Sequence, residues 1–235
     1  MKNTLIATAT YNEAENIKEL ITKIKKTNKS LDILIVDDNS PDGTAKIINH
    51  LKNRNKNINL FLIKRKKKEG LDTAHKNIYE YAKRKRYKYL ITMDADLSHD
   101  PKVIPKFLKY IKKYDCVIGS RYINGGENKL KGIRLFISKF GNIFIKRILN
   151  YELSEFTTSY RCFNLRKLKD FNLKEIKFKG YSFFMGSIIL IYRKGYSIKE
   201  IPIKFNERKK GKSKIPKIEL IRTLINLFKI KFGWI

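Results

Sequence analysis

Cysteine is nearly absent: Cys116 and Cys162 are the only two in 235 residues. Two cysteines cannot build a disulfide scaffold, and neither sits in a metal-ligand or redox spacing. Both lie in strand-like runs, D-C-V-I-G and Y-R-C-F-N, so buried thiols in a reducing compartment are expected. Long hydrophobic runs are missing too. The longest apolar stretch, Tyr181 to Tyr192, falls short of the roughly 18–20 residues that cross a bilayer. Met1–Lys2 leads directly into a short strand with no small-residue cleavage site, so no signal peptide is read and a cytoplasmic location is expected. Acidic residues are scarce, 22 Asp+Glu against 53 Lys+Arg, for a formal charge of +31. That imbalance points to anionic partners: nucleic acid, an acidic membrane surface or phosphorylated substrates. Abundant Lys, Ile and Asn together assign part of the excess to solvated surface. No zinc pattern, recognition-helix signal or aromatic RNA-stacking motif accompanies the charge, so nucleic acid is not expected as a partner. His75 and His99 show no metal-ligand spacing and read as ordinary polar residues.

What is present is a folded chain. Hydrophobic content of 42% with 14 Phe and 13 Tyr excludes disorder. The first half alternates short apolar runs with helical periodicity: strands at Leu5–Thr8, Ile33–Val36, Leu60–Ile63, Tyr89–Met93 and Cys116–Ile118, and helices at Asn12–Lys26, Gly43–Leu51, Thr73–Lys85 and Pro101–Lys112. Such spacing predicts right-handed crossovers and an α/β fold with a mostly parallel sheet flanked by helices. The second half predicts an amphipathic helix at Gly132–Leu149, a strand at Tyr160–Asn164, an apolar helix at Tyr181–Arg193, a strand at Ile198–Phe205 and a final helix from Pro216. Asn206–Lys214 reads as a basic loop.

Four carboxylates stand out in so basic a chain. Asp37 and Asp38 end the run I-L-I-V-D-D-N-S-P-D-G-T; Asp94 and Asp96 end Y-L-I-T-M-D-A-D-L-S-H-D-P. Acid pairs at the C-terminal ends of neighbouring parallel strands converge on one crevice, where open α/β sheets bind ligands. A hard divalent cation takes one or two carboxylates plus substrate phosphates. Asp94 and Asp96, two residues apart, fit that use for Mg2+ or Mn2+; Asp37 fits a base or ribose. The composition of Asp38–Gly43 also suits a turn with capping residues.

T-Y-N-E at Thr10–Glu13, these two acid motifs and G-S-R-Y at Gly119–Tyr122 come in an order that resembles glycosyltransferase family 2, closest to the polyprenol-phosphate (dolichol-phosphate) mannosyltransferases. The resemblance extends to Arg134 and Ser138, to Tyr160-Arg161, and to I-P-I-K-F-N-E-R-K-K-G-K-S-K. It implies a GT-A-like, Rossmann-related fold with amphipathic membrane-surface helices, in one continuous catalytic domain. Residues 1–125 would bind the nucleotide sugar and 126–235 the acceptor. It assigns Asp94 and Asp96 to metal and donor diphosphate; Thr10, Tyr11, Glu13, Asp37, Asp38, Arg208 and Lys214 to the donor; and Arg121, Arg134 and Ser138 to an acceptor phosphate. Asp94, Asp96, Arg121 and Arg134 are the expected catalytic set.

The implied reaction is inverting transfer of a hexose, mannose favoured, from GDP-mannose or a UDP-hexose to a polyprenyl phosphate on the cytoplasmic membrane face. A phosphate monoester, with its second pKa near 6, attacks without a protein base. Phe136, Phe140 and Phe144 beside Lys139, Lys146 and Arg147 suit the headgroup region, as does the end of the final helix. The sequence departs from the family at Ala9, at Glu155–Ser159, at Asp72 in G-L-D-T-A, and at Phe184 and Gly186, which replace a polar pair at the sugar end. The run Lys64–Lys68 reads as a solvated loop. A transferase acting on a sugar hydroxyl is the alternative; it needs a carboxylate base, for which Glu155 is the candidate. The oligomeric state is not legible.

Overall fold

The computed structural model describes residues 3–54, 59–208 and 218–234. Four parallel strands, β1 (Thr4–Thr10), β2 (Asp32–Asp37), β3 (Leu60–Lys64) and β4 (Tyr89–Thr92), form one flank of a seven-stranded sheet. The chain runs outward from β1 to β3 and returns to β4 on the other side of β1. The strand order reverses there, and the carboxyl ends of β1, β2 and β4 open onto one crevice. Beyond β4 come β7 (Arg161–Asn164), β5 (Cys116–Ser120) and β8 (Ile198–Pro202). β7 is antiparallel to both neighbours, whereas β5 and β8 are parallel.

Side-chain alternation builds two cores. Leu5, Ala7, Leu34 and Val36 face α3 (Leu71–Arg84), α6 (Gly180–Arg193) and α7 (Ile218–Lys231). Ile6, Ile33 and Ile35 face α1 (Ala14–Thr27), α2 (Thr44–Arg54) and α4 (Ile104–Tyr110). Strands covered on both sides read as continuous apolar runs, as β2 does. The expected Pro101–Lys112 helix opens with a 3-10 turn, Pro101–Val103, capped by Asp100. The expected strand Ile198–Phe205 breaks after Pro202, and β9 (Lys204–Phe205) leaves the main sheet to pair with β6 (Glu127–Asn128).

The amphipathic helix is α5 (Gly132–Leu149), and its apolar stripe faces outward. Ile133 is 69% exposed, Phe136 56% and Phe140 50%, while Asn142 and Ile145 are buried. α7 is turned the same way: Ile221, Leu224, Ile225 and Phe228 are exposed, and Leu227, Ile230 and the polar Asn226 are buried. No helix among the described residues is long and apolar enough to cross a membrane. Both cysteines are free and buried.

Candidate active site

The loop after β4 carries Asp94 and Asp96. Asp94 Oδ1 accepts the Ser159 hydroxyl at 2.5 Å, and Asp94 N donates to His99 Nδ1 at 3.1 Å. Because Nδ1 accepts that bond, its 3.6 Å approach to Asp94 Oδ2 is not an ion pair. Burial, the largest influence on His99, holds the imidazole below its ordinary pKa and hence neutral. Asp96 Oδ1 accepts Ser98 N (3.1 Å) and Ser98 Oγ (2.6 Å). Its Oδ2 receives Nε and Nη2 of Arg208, each at 3.0 Å. Burial pushes the Asp96 carboxyl up, but the Ser98 bonds and the Arg208 charge outweigh it, and the net direction is down. Leu97 lies between them in the left-handed region at φ 65°, so the loop doubles back sharply enough for Ser98 to reach Asp96.

No three His, Cys, Asp or Glu side chains gather as a metal cage among the described residues. Two carboxylates, with the Asp94 side chain 35% exposed, instead suit a hard ion that completes its shell with phosphate and water.

The loops after β1 and β2 form a clasp. Thr10 Oγ1 donates to Asp37 Oδ1 (2.9 Å), which also accepts Ser40 Oγ (2.6 Å); Ser40 N reaches Oδ2 (2.9 Å). The T-Y-N-E stretch is sewn to the same turn through Asn12 N to Ser40 Oγ and Glu13 N to Thr44 Oγ1. Asp38 is held within the fold: its oxygens accept Arg65 Nη1, Glu69 N and Gly70 N at 2.8–2.9 Å. It shapes the 65–70 loop and the start of α3. Arg65 therefore departs from the expected solvated loop and is buried, whereas Lys68 lies 3.9 Å from the centre of the Tyr11 ring. Glu13 accepts Asn16 Nδ2 and approaches Arg208 Nη1 at 3.5 Å.

Past β5, Arg121 makes a two-pronged pair with Glu155: Nε to Oε2 at 2.7 Å and Nη2 to Oε1 at 2.8 Å, with Thr157 Oγ1 also on Nη2. Glu155 is fully buried and also accepts Thr157 N, Thr157 Oγ1 and Thr158 N. Burial opposes its charge, but Arg121 and these donors keep its carboxyl below the ordinary value. The Arg121 guanidinium lies 5.1 Å from the ring centres of both Tyr122 and Phe205. Ser138 Oγ is 2.5 Å from Tyr122 Oη, beside a cavity of about 470 Å³ lined by Arg121, Asn128, Lys139 and Lys146. Arg134 is exposed on the first turn of α5 and has no hydrogen-bond or ion-pair partner among the described residues. Ser213 and Lys214 lie outside the described residues.

Other residues singled out in the sequence are structural. His75 and His99 are buried ring-packing residues, His75 edge-on to Phe184 at 4.9 Å and His99 4.8 Å from Tyr160. Arg161 is buried and bonds the carbonyls of Thr158, Phe156 and Phe184, so it braces the segment between Glu155 and Ser159. Phe184 is core, and a Cβ on Gly186 would meet Phe178 at 3.2 Å and Ile176 at 3.3 Å. Ser98, Ser159 and Phe205 escaped the sequence reading. Each lies in a stretch the sequence reading had marked, Ser98 beside the second acid pair, Ser159 in Glu155–Ser159 and Phe205 in I-P-I-K-F, but none was singled out there.

Comparison with known proteins agrees with this geometry. Residues 5–171 match the model for glycosyl transferase family 2. The chain is 32% identical over 216 residues to the polyprenol monophosphomannose synthase of Mycolicibacterium smegmatis, covering 91% of this chain and 81% of that protein. It is 32% identical over 207 residues to the undecaprenyl-phosphate mannosyltransferase of Micrococcus luteus, covering 88% of this chain and 84% of that one. The fold matches glucosyl-3-phosphoglycerate synthase of Mycobacterium tuberculosis, solved with Mn2+, UDP and glucosyl-3-phosphoglycerate. That match has TM-score 0.67 and 14% identity, over 99% of this chain and 80% of that one. A parallel sheet with its acidic loops on one crevice, matched over most of its length by such relatives, makes this chain a glycosyltransferase of family 2.

Proposed function

We propose that the protein transfers a hexose, mannose favoured, from a nucleoside diphosphate sugar to a polyprenyl phosphate, with inversion, at the cytoplasmic membrane face. GDP-mannose and UDP-hexoses are the donor candidates. The state of Glu155 carries the choice of acceptor. A hydroxyl acceptor would have to hand its proton to a carboxylate, and Glu155 is fully buried, ionised and clamped by Arg121. An acceptor already charged needs no such group. The two mannosyltransferase relatives, by their names, support the same acceptor class.

In this reading Thr10, Tyr11, Glu13, Asp37 and Asp38 form or shape the nucleotide clasp, and Arg208 and Lys214 serve the donor diphosphate. Asp94 and Asp96 would hold Mg2+ or Mn2+, which when bound would supply Lewis-acid stabilisation of negative charge on a diphosphate. Arg121, Arg134 and Ser138 receive the acceptor phosphate: the exposed Arg134 fork can match two phosphate oxygens at once, whereas the Arg121 fork is engaged by Glu155 and contributes from that fixed position. The dianionic phosphate attacks the anomeric carbon from the side opposite the leaving diphosphate. The protein contributes positioning and charge neutralisation. The outward stripes of α5 and α7 lie in the headgroup layer, with nearby lysines adding roughly 1 kcal/mol each on an anionic leaflet.

The test is incubation with polyprenyl phosphate, Mn2+ and a panel of nucleotide sugars, followed by lipid extraction and mass spectrometry. A polyprenyl-phosphate hexose of inverted configuration is expected. A retained configuration, or transfer only to sugar hydroxyls, would reject the proposal.

A further inference from the structure

The cation that touches Asp96 belongs to the protein. Nε and Nη2 of Arg208 both reach Oδ2 at 3.0 Å, and Nη1 lies 3.5 Å from Glu13 Oε1. One guanidinium, its side chain 25% exposed, therefore spans the acidic loop after β4 and the T-Y-N-E stretch after β1. The segment leading to it is anchored to that same acidic loop. Asn206 N donates to Ser98 O at 3.0 Å, Phe205 bridges to His99 along the backbone, and their rings meet edge-on at 5.3 Å. Arg208 is thus held against Asp96 from both ends of the contact.

We propose that Arg208 is an internal counter-ion that competes with the divalent cation for Oδ2 of Asp96, so that metal and nucleoside diphosphate bind cooperatively. The proposal rests on the reading that Asp94 and Asp96 hold the metal. A divalent ion on Oδ2 would sit within a few ångströms of a guanidinium, and like charges at that range repel strongly. The guanidinium has to leave as the ion arrives. Its departure sacrifices charge-assisted bonds to Asp96 and Glu13 unless another anion replaces them. A diphosphate is such an anion, and its paired oxygens fit the fork. Metal alone is then opposed by Arg208, whereas metal with diphosphate is not. Linkage makes the effect mutual: each ligand tightens the other by the same factor.

Calorimetric titration of the full chain with Mn2+, with and without GDP and with and without UDP, tests this without lipid or turnover. The native protein should bind Mn2+ weakly alone and at least about tenfold more tightly with the better nucleotide, within the usual range of coupling between sites. Arg208→Gln should bind Mn2+ alone roughly three- to tenfold more tightly than native, as expected for losing one partly exposed competing cation, and its nucleotide enhancement should shrink by about that same factor, the remainder coming from direct phosphate ligation of the ion. Arg208→Lys, which keeps a cation beside Asp96, should stay near native. Unchanged or weaker Mn2+ binding by Arg208→Gln without nucleotide would overturn the proposal. If no Mn2+ binds even with nucleotide, the metal assignment itself falls, a distinct outcome.

Discussion

Ser159 donates its hydroxyl to Oδ1 of Asp94 at 2.5 Å, joining residues 65 apart in sequence. The backbone supports the contact from the strand below, where Thr92 Oγ1 donates to Ser159 O at 2.6 Å. The bond leaves Asp94 Oδ2 as its open oxygen. Ser159→Ala should weaken Mn2+ binding in the presence of nucleotide by roughly three- to tenfold, the net worth of one such hydrogen bond, with little change in melting temperature. Calorimetric titration beside a thermal melt checks both halves.

Asp94 and Asp96 should matter far more to turnover than to stability. Replacing either by Asn removes a charge from the proposed metal pair while keeping its shape. A loss of about a hundredfold or more in transfer rate is expected, in line with loss of one strong electrostatic contact in a preorganised site. Radiolabelled sugar incorporation into lipid measures it. Retention of native rates in the double variant would remove the basis of the proposed chemistry.

The Arg121–Glu155 pair predicts an acid-sensitive stability. The folded carboxyl lies below its ordinary value of 4.5, so its contribution is fully present above that pH and is lost as pH falls through the folded value. Glu155→Gln strands a buried guanidinium. It should lower stability by about 3–5 kcal/mol, the usual cost of breaking a buried ion pair, while transfer to polyprenyl phosphate persists in the fraction that folds. Urea melts and lipid transfer assays at low temperature separate the two effects. Abolished transfer in fully folded protein would favour the hydroxyl-acceptor alternative.

His75 gives a second pH dependence at higher pH. Burial, reinforced by the charge of Arg161, holds its folded pKa at about 3 against 6.5 ordinarily. The unfolded chain therefore takes up a proton that the folded chain refuses. Stability should be complete above pH 6.5 and fall by up to about 1.4 kcal/mol per pH unit between there and pH 3. His75→Phe should flatten that slope. Urea melts at pH 7 and pH 5 decide it.

The outward face of α5 should govern attachment to lipid. The Phe136 and Phe140 rings lie 4.1 Å apart on an exposed stripe. Replacing both by Glu should release most of the protein from anionic liposomes in a flotation gradient, because apolar burial and leaflet charge act together. The melting temperature should hold, since neither ring supports the core.

Local pattern made the first half of the chain legible. Apolar runs alternating with helical periods located β1 to β5 and the helices between them, because each burial decision there is local. β7 was visible as a strand, but its antiparallel seat depends on contacts about seventy residues distant on β4 and about forty-five on β5. Periodicity also found the stripe on α5 without saying which way it points; only the packing of Asn142 and Ile145 inward decides that. At the site, charge was legible and partnership was not. Arg65 looked like other basic residues and Arg161 stood out only by its motif, yet each is buried and holds a loop in place. Arg121 was found from its motif, but its clamp by Glu155 was not, since the pair closes across 34 residues.

The crowding around Gly186 limits which side chains this position of α6 can take. Phe178 and Ile176 already fill the volume that any side chain at that position would need. A lone Gly186→Glu exchange would therefore force both aside and bury an unmatched carboxylate, misfolding the protein. Only an exchange that also replaces the 176–178 stretch makes room for a longer side chain on that face of α6.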